Sequence, residues 1–362
     1  MKSVVTFGEI MGRLTPPGCL RLRQSMPGNL EVTFAGAEAN VAGSLAMLGM
    51  EATFVTALPK NELADACVAS LAAAGVVTEI ARTGLGRLGL YFLETGANQR
   101  PSRVLYDRDH SAISLASPEV FHWPSLFSDA DWFHVTGITP AISESAAQAT
   151  IESVRAAKKA GLTVSCDLNF RAKLWKWEPA TEPKQLARRV MSEVLPSVDV
   201  LIANEEDCGD VLGIRSPQTD VHSGTLDVQS YPQVAKEVVE QFPNLSIVAT
   251  TLRQSLSASH NNWGAMLWDV REKRAVFAPT VDGEYSPYEI RNIVDRVGGG
   301  DSFAAGLIFA MLSDDYPSLE DALSFAVAAS CLAHSIKGDL NYSSRAEVDA
   351  LASGSGAGRV VR

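Results

Sequence analysis

The sequence predicts an α/β fold, a doubly wound and mainly parallel sheet flanked by helices, with a small β-sheet set apart as a lid. Three observations predict it. Short apolar runs of strand length alternate with longer helical runs along most of the chain. The strand runs are apolar throughout, as strands covered on both faces are. Two segments, 11–34 and 87–112, break the rhythm with Pro, Gly and β-like residues.

Taken in order, Val4–Phe7 reads as a strand, Asn40–Leu48 as a helix stopped by Gly49, and Thr53–Leu58 as the next strand. Strand, helix, strand makes a parallel pair. Trp132–Thr136 is a strand, Glu144–Ala160 a helix ended by Gly161, and Leu162–Cys166 a strand. Leu186–Leu195 is a helix; Val198–Ala203 is a strand followed by a helical stretch to Leu212. Val234–Gln241 is a helix and Ser246–Thr251 a strand. Ala265–Val270 and Ala275–Pro279 form a hairpin, and helices near 302–313 and 319–336 close the fold. The runs Arg87–Glu94 and Ser102–Arg108 flank a Gly96-Ala97-Asn98 turn and belong to the small sheet. The expected division is a main body of 1–10, 35–86 and 113–352, a β lid of 11–34 and 87–112, and a flexible Gly/Ser tail, 353–362.

Composition narrows the function. The 362 residues are 46% hydrophobic and 20% charged, enough for a full core, with a net charge of −11. No basic stripe for nucleic acid is present. Five widely spaced cysteines without a CxxC argue against a zinc ribbon or redox dithiol and fit free thiols in a reducing cytoplasm. Glu9 and Arg13 interrupt the first apolar run, so no signal peptide is expected, and no run reaches the ~18–20 residues of a membrane span.

The most informative stretch is Asp295-Arg296-Val297-Gly298-Gly299-Gly300-Asp301 ahead of a buried helical run. Successive glycines let backbone N–H groups converge into an anion nest, and a helix start adds unpaired donors and partial positive charge. Asp301 there is either a helix N-cap or a base beside a phosphate. A plain turn with a cap explains such a stretch alone about as well. It lacks the Gly-Lys-Ser/Thr of a Walker loop, and no GxGxxG follows the first strand. Gly36-Ala37-Glu38-Ala39-Asn40 opens the first helix, either for close packing or for backbone approach to a polyhydroxylated ligand. Asp167-x-Asn169-x-Arg171 and Asn204-x-x-Asp207 follow strands whose carboxyl ends face the crevice of such folds. Arg171 has the fork to hold a carboxylate or phosphate, and Asn204 with Asp207 suits a water-bound Mg²⁺.

Together, Gly8-Glu9, Gly36–Asn40, Asn204-x-x-Asp207 and Asp295-x-x-Gly298-Gly299-Gly300-Asp301 resemble the ribokinase-like (PfkB) sugar kinases, over about residues 3–350. Within that family, Leu14–Gly18, Tyr106-x-Arg108, Asp167-x-Asn169-x-Arg171 and Gly338-Asp339 resemble the 2-keto-3-deoxygluconate kinases most. The resemblance implies ATP, Mg²⁺ and transfer of the γ-phosphate to a C6 sugar hydroxyl. It makes Asp301 the base and the N–H groups of Gly298, Gly299 and Gly300 the anion hole. Gly36, Ala37, Asn40, Tyr91, Tyr106, Arg108, Arg171 and Asp339 would contact a sugar acid. Asn169, Arg171, Asn204 and a Thr251-Leu252-Arg253 turn, with Gly298 and Gly300, would face ATP. Asn204 and Asp207 would hold Mg²⁺ through water. The family also implies a homodimer paired through the lid. Four positions depart from its usual pattern: Gly299 for Ala, Asp207 for Glu, Ala35 for Gly and Lys337 for Pro. The alternatives are a kinase of fructose or a related ketose, a non-catalytic sugar-binding protein, and a dinucleotide-dependent oxidoreductase.

Overall fold

The computed structural model describes residues 2–215 and 227–355, so the proposed tail lies outside the described residues from Gly356 onward. Its main sheet has ten strands. Seven are parallel, in the spatial order Ile247–Ser257, Val200–Ala203, Thr163–Asp167, Trp132–Thr136, Ser3–Phe7, Glu51–Pro59 and Val77–Thr83. Beyond Ile247–Ser257 lie the antiparallel strands His260–Asp269 and Arg274–Ala278, and Tyr288–Arg291 also pairs with His260–Asp269. Ser3–Phe7 has Glu51–Pro59 on one side and Trp132–Thr136 on the other, which makes it the point where the winding reverses. Ligand crevices in open parallel sheets form there, outside the carboxyl ends of the strands.

Strand alternation divides the core. Val5, Phe7, Val55, Phe133, Val135 and Leu201 pack with the helices Glu144–Ala160, Pro183–Val194 and Tyr231–Gln241. Val4, Phe54, Trp132, Val200 and Ile202 point the other way. There they meet Ala37–Met47, Glu62–Ala73, Gly299–Leu312, Leu319–Ala333 and Arg345–Ala352. Neighbouring side chains on one strand thus feed two cores, which is why the strands read as continuous apolar runs. Among the described residues no helix is long and apolar enough to cross a membrane.

A second sheet of four strands, ordered Glu31–Ala35, Met11–Thr15, Gly89–Glu94 and Arg103–Asp107, stands apart from the first. It draws its residues from the two irregular segments of the sequence.

Several boundaries differ from expectation. The helix expected from Asn40 begins at Ala37, and the one expected near 302 begins at Gly299. The strand expected to stop at Thr251 continues to Ser257, so Thr251-Leu252-Arg253 is mid-strand and not a turn. Helix Glu62–Ala73 and strand Val77–Thr83 carry weak signals: the helix buries only Ala64, Cys67 and Leu71, and the strand is a polar sheet edge.

Candidate active site

A cavity of about 310 Å³ opens at the carboxyl ends of the parallel strands, between them and the inner face of the small sheet. It gathers almost every residue singled out in the sequence: Gly36, Ala37, Asn40, Tyr91, Tyr106, Arg108, Asn169, Arg171, Asn204, Asp207, Thr251, Arg253, Gly298, Gly300, Asp301 and Asp339. Two fall outside its lining. Leu252 is buried in the core, because strand alternation turns it away from Thr251 and Arg253. Gly299 faces inward, where an added Cβ would lie 2.9 Å from Cε1 of His334. That imidazole accounts for glycine at a position where the family usually carries alanine.

The glycine turn forms as its composition suggests. Gly298 precedes the helix in the left-handed region, at φ 85°. A Cβ there would sit 2.1 Å from the Asp339 carbonyl oxygen, so two chain segments touch at backbone distance. A Cβ on Gly300 would meet open space beyond its own helix, and the residue lines the cavity. Asp301 is the third residue of the helix, and no side chain caps the helix start. The N-cap alternative is therefore corrected: the carboxylate instead accepts a hydrogen bond from Asn40 Nδ2 at 2.7 Å.

Asp301 is buried, and that burial pushes its carboxyl up to about 7, against the downward pull of the Asn40 hydrogen bond. A carboxylate that gains and loses its proton near neutrality suits general base work. Asn40 is held in turn: its Oδ1 accepts from the Gly36 N–H at 3.3 Å. A Cβ on Gly36 would lie 1.9 Å from the Glu9 carbonyl oxygen, which explains glycine at that helix entry.

The side of the cavity formed by Asp167, Arg171, Asn204, Glu205, Asp207 and Arg253 is acidic and cationic at once. Asp167 sits well above the usual carboxylate range, through burial first and then through Asp207 and Asp301, with Arg171 opposing. Burial also raises Asp207, and its carboxylate accepts the N–H groups of Phe170 and Asn204, each at 3.1 Å. Asn204 Oδ1 accepts from Glu206 and Asp207 N–H at 2.8 and 3.0 Å. Arg253 donates to Glu205 Oε1 at 2.9 Å, and Arg171 hydrogen-bonds the Phe170 carbonyl oxygen at 2.9 Å. Among the described residues no three His, Cys, Asp or Glu side chains are grouped to hold a metal by themselves.

On the small-sheet side, Arg108 donates to Glu9 Oε2 through Nε at 2.6 Å and through Nη2. Its guanidinium lies 5.5 Å from the Tyr106 ring centre. Asp339 accepts from Tyr91 Oη and Arg13. Sequence reasoning left Glu9, Arg13, Asp167, Glu205, Trp263, Arg296 and His334 without a role, although Glu9, Asp167 and Arg296 stand inside or beside its motifs. Apart from Arg13, all of them line the cavity.

A helix N-terminus entered through a glycine turn, next to a buried carboxyl at the strand ends of a doubly wound sheet, has the elements that phosphoryl transfer requires. The model of the pfkB family of carbohydrate kinases matches residues 1–252, and the chain belongs to that family. It is 31% identical over 355 residues to a 2-dehydro-3-deoxygalactonokinase of Haloferax volcanii, covering 98% of each chain. The crystal structure of a 2-dehydro-3-deoxygluconokinase of Thermotoga maritima superposes with a TM-score of 0.87 and 45% identity, covering 98% of this chain and all of that one. A PfkB family carbohydrate kinase of Listeria grayi follows at 0.84 and 30%, covering 97% of this chain and all of the other. The fold is ribokinase-like and the chain is a carbohydrate kinase.

Proposed function

We propose that this kinase transfers the γ-phosphate of ATP to the terminal (C6) hydroxyl of a keto-deoxy sugar acid, 2-keto-3-deoxygluconate foremost. The observation that carries the reaction is Asp301, buried, oriented by Asn40 and beside the Gly298–Gly300 turn, which is open at Gly300. In this reading Asp301 accepts the hydroxyl proton as the oxygen attacks phosphorus. The N–H groups at the helix start, together with Arg171 and Arg253, take up the charge on the phosphate oxygens. Water is displaced by the small sheet, which acts as a lid over the cavity.

The residues fit Mg²⁺ only indirectly. Asp207 and Asn204 spend much of their acceptor capacity on N–H groups of their own turn, which suits a cation that keeps its waters. Asn204 and Asp207 would hold Mg²⁺ through water, and the ion would supply positive charge to offset that of the phosphates.

The acid group of the substrate is assigned to Arg108, with Arg171 reaching it from the opposite wall, both of which line the cavity. The names of the Haloferax and Thermotoga relatives support this class. One observation favours the runner-up, a neutral ketose: Glu9 already balances the charge of Arg108. A coupled ADP-release screen decides. Sugar acids preferred over fructose in kcat/KM uphold the proposal; the reverse order sinks it while leaving the kinase assignment intact.

We further infer a homodimer through the small sheet. The register aligns Val32 with Leu14, Leu14 with Phe92 and Phe92 with Leu105, an apolar row across the sheet face turned away from the cavity. Val32 and Leu105 are exposed. Light scattering should show a dimer, and Leu105→Lys should dissociate it. A wild-type monomer at micromolar concentration would refute the idea.

A further inference from the structure

We infer that Arg13, which does not itself line the cavity, is the positioning residue that couples the small sheet to the anion nest. The inference rests on the kinase reading of the site. Arg13 lies on the strand Met11–Thr15 and is 2% exposed. Its guanidinium is used in three directions. Nε donates to Thr15 Oγ1 at 3.1 Å, Nη2 to Asp295 Oδ2 and Nη1 to Asp339 Oδ1. The two carboxylates belong to the segments that build the nest. Asp295 also accepts the N–H of Val297 and of Gly338, each at 3.2 Å, and so ties the chain before the glycines to the chain after the last long helix. Asp339 presents its carbonyl oxygen to Gly298 at backbone distance. Its second carboxylate oxygen accepts from Tyr91 Oη, on a small-sheet strand in register with Arg13.

An apolar contact runs in parallel. Val297 packs on the small-sheet cluster of Met11, Ala35, Tyr91 and Leu93. The small sheet therefore grips the nest twice, through a buried cation and through Val297. A shift of Arg13 moves Asp295 and Asp339, and these carry the backbone on which the Gly298 turn rests. Through these contacts the seating of the small sheet and the geometry of the nest are linked. A second consequence concerns Asp339. Both its oxygens are engaged by Arg13 and Tyr91, so it serves the sugar site as part of this cluster and not as a free acceptor.

Bidentate recognition by a planar fork is not reproduced by lysine. Displacing reacting groups by about 1 Å lowers turnover by roughly 10²-fold. The test compares Arg13→Lys, Arg13→Met and the double variant Arg13→Met/Asp295→Asn, which restores the charge balance of the cluster. Melting temperature, ATP affinity without sugar, kcat and sugar KM are measured on each. The expected result is a double variant that melts near wild type and binds ATP normally, with kcat down by about 10²-fold. Arg13→Lys should recover only part of that loss. A double variant that folds and turns over at the wild-type rate overturns the inference. So does a loss that appears only in melting temperature. If the wild-type enzyme itself releases no ADP with any sugar, the failure lies in the kinase reading and not in Arg13.

Discussion

Replacing Asp301 by Asn separates catalysis from stability, with opposite signs for the two. The asparagine keeps the shape of the side chain, and its carbonyl oxygen still accepts from Asn40 Nδ2. It removes the proton acceptor. General base catalysis is worth about 10²–10⁴-fold, so kcat should fall by that amount while ATP affinity stays near wild type. Stability should move the other way. Burial raises the Asp301 carboxyl from 3.8 to about 7. Between those limits the folded protein holds a proton that the unfolded chain has released, so stability falls as pH rises through this window. Each pH unit is about 1.4 kcal/mol, which sets a ceiling of about 4 kcal/mol at pH 8. Asparagine carries no such penalty. Glu38, whose carboxyl burial also pushes up to about 7, contributes its own loss to both proteins and largely cancels in the difference. The assays are ADP release with sugar acid and denaturant unfolding at pH 4 and pH 8. The variant should match wild type near pH 4 and exceed it at pH 8. Near-normal kcat refutes the base assignment. A variant less stable than wild type at pH 8 refutes the claim that Asp301 is held against its preference.

The glycines of the turn should part company. Gly300→Ala, with open space around the Cβ, should fold normally yet raise the ATP KM and lower kcat, whereas Gly298→Ala must strain a φ of 85° and strike the Asp339 carbonyl. That second change should cost about 1–3 kcal/mol or more of stability; calorimetry paired with kinetics reads both. Asn40→Ala removes the hydrogen bond that holds the Asp301 carboxyl down, so the acidic limb of the kcat/KM profile should move to higher pH. An unmoved limb would assign that limb to another group.

Much of the site was legible in advance because its chemistry is local. Glycines at 298–300, an acid at 301 and polar residues just after apolar strands are all read within a few positions, and the parallel architecture directs strand ends toward one crevice. Boundaries were less legible. The Ile247–Ser257 strand runs past Thr251 because its partner His260–Asp269 pairs with it to the tip, a long-range fact. Hence Leu252 faces the core while Thr251 and Arg253 face the cavity.

The sequence by itself determined the class of fold, the glycine turn and the acid that follows it. Periodicity and glycine freedom act over a few residues, and the chain cannot hide them. Only the tertiary structure decided that Asp301 is held by Asn40 and not spent as a cap, and that Arg108 meets Glu9. It alone joined Arg13 to Asp295 and Asp339, 282 and 326 residues away. Such pairings depend on where a buried charge finds its partner once water is excluded, and that is settled by packing, not by neighbours in the chain.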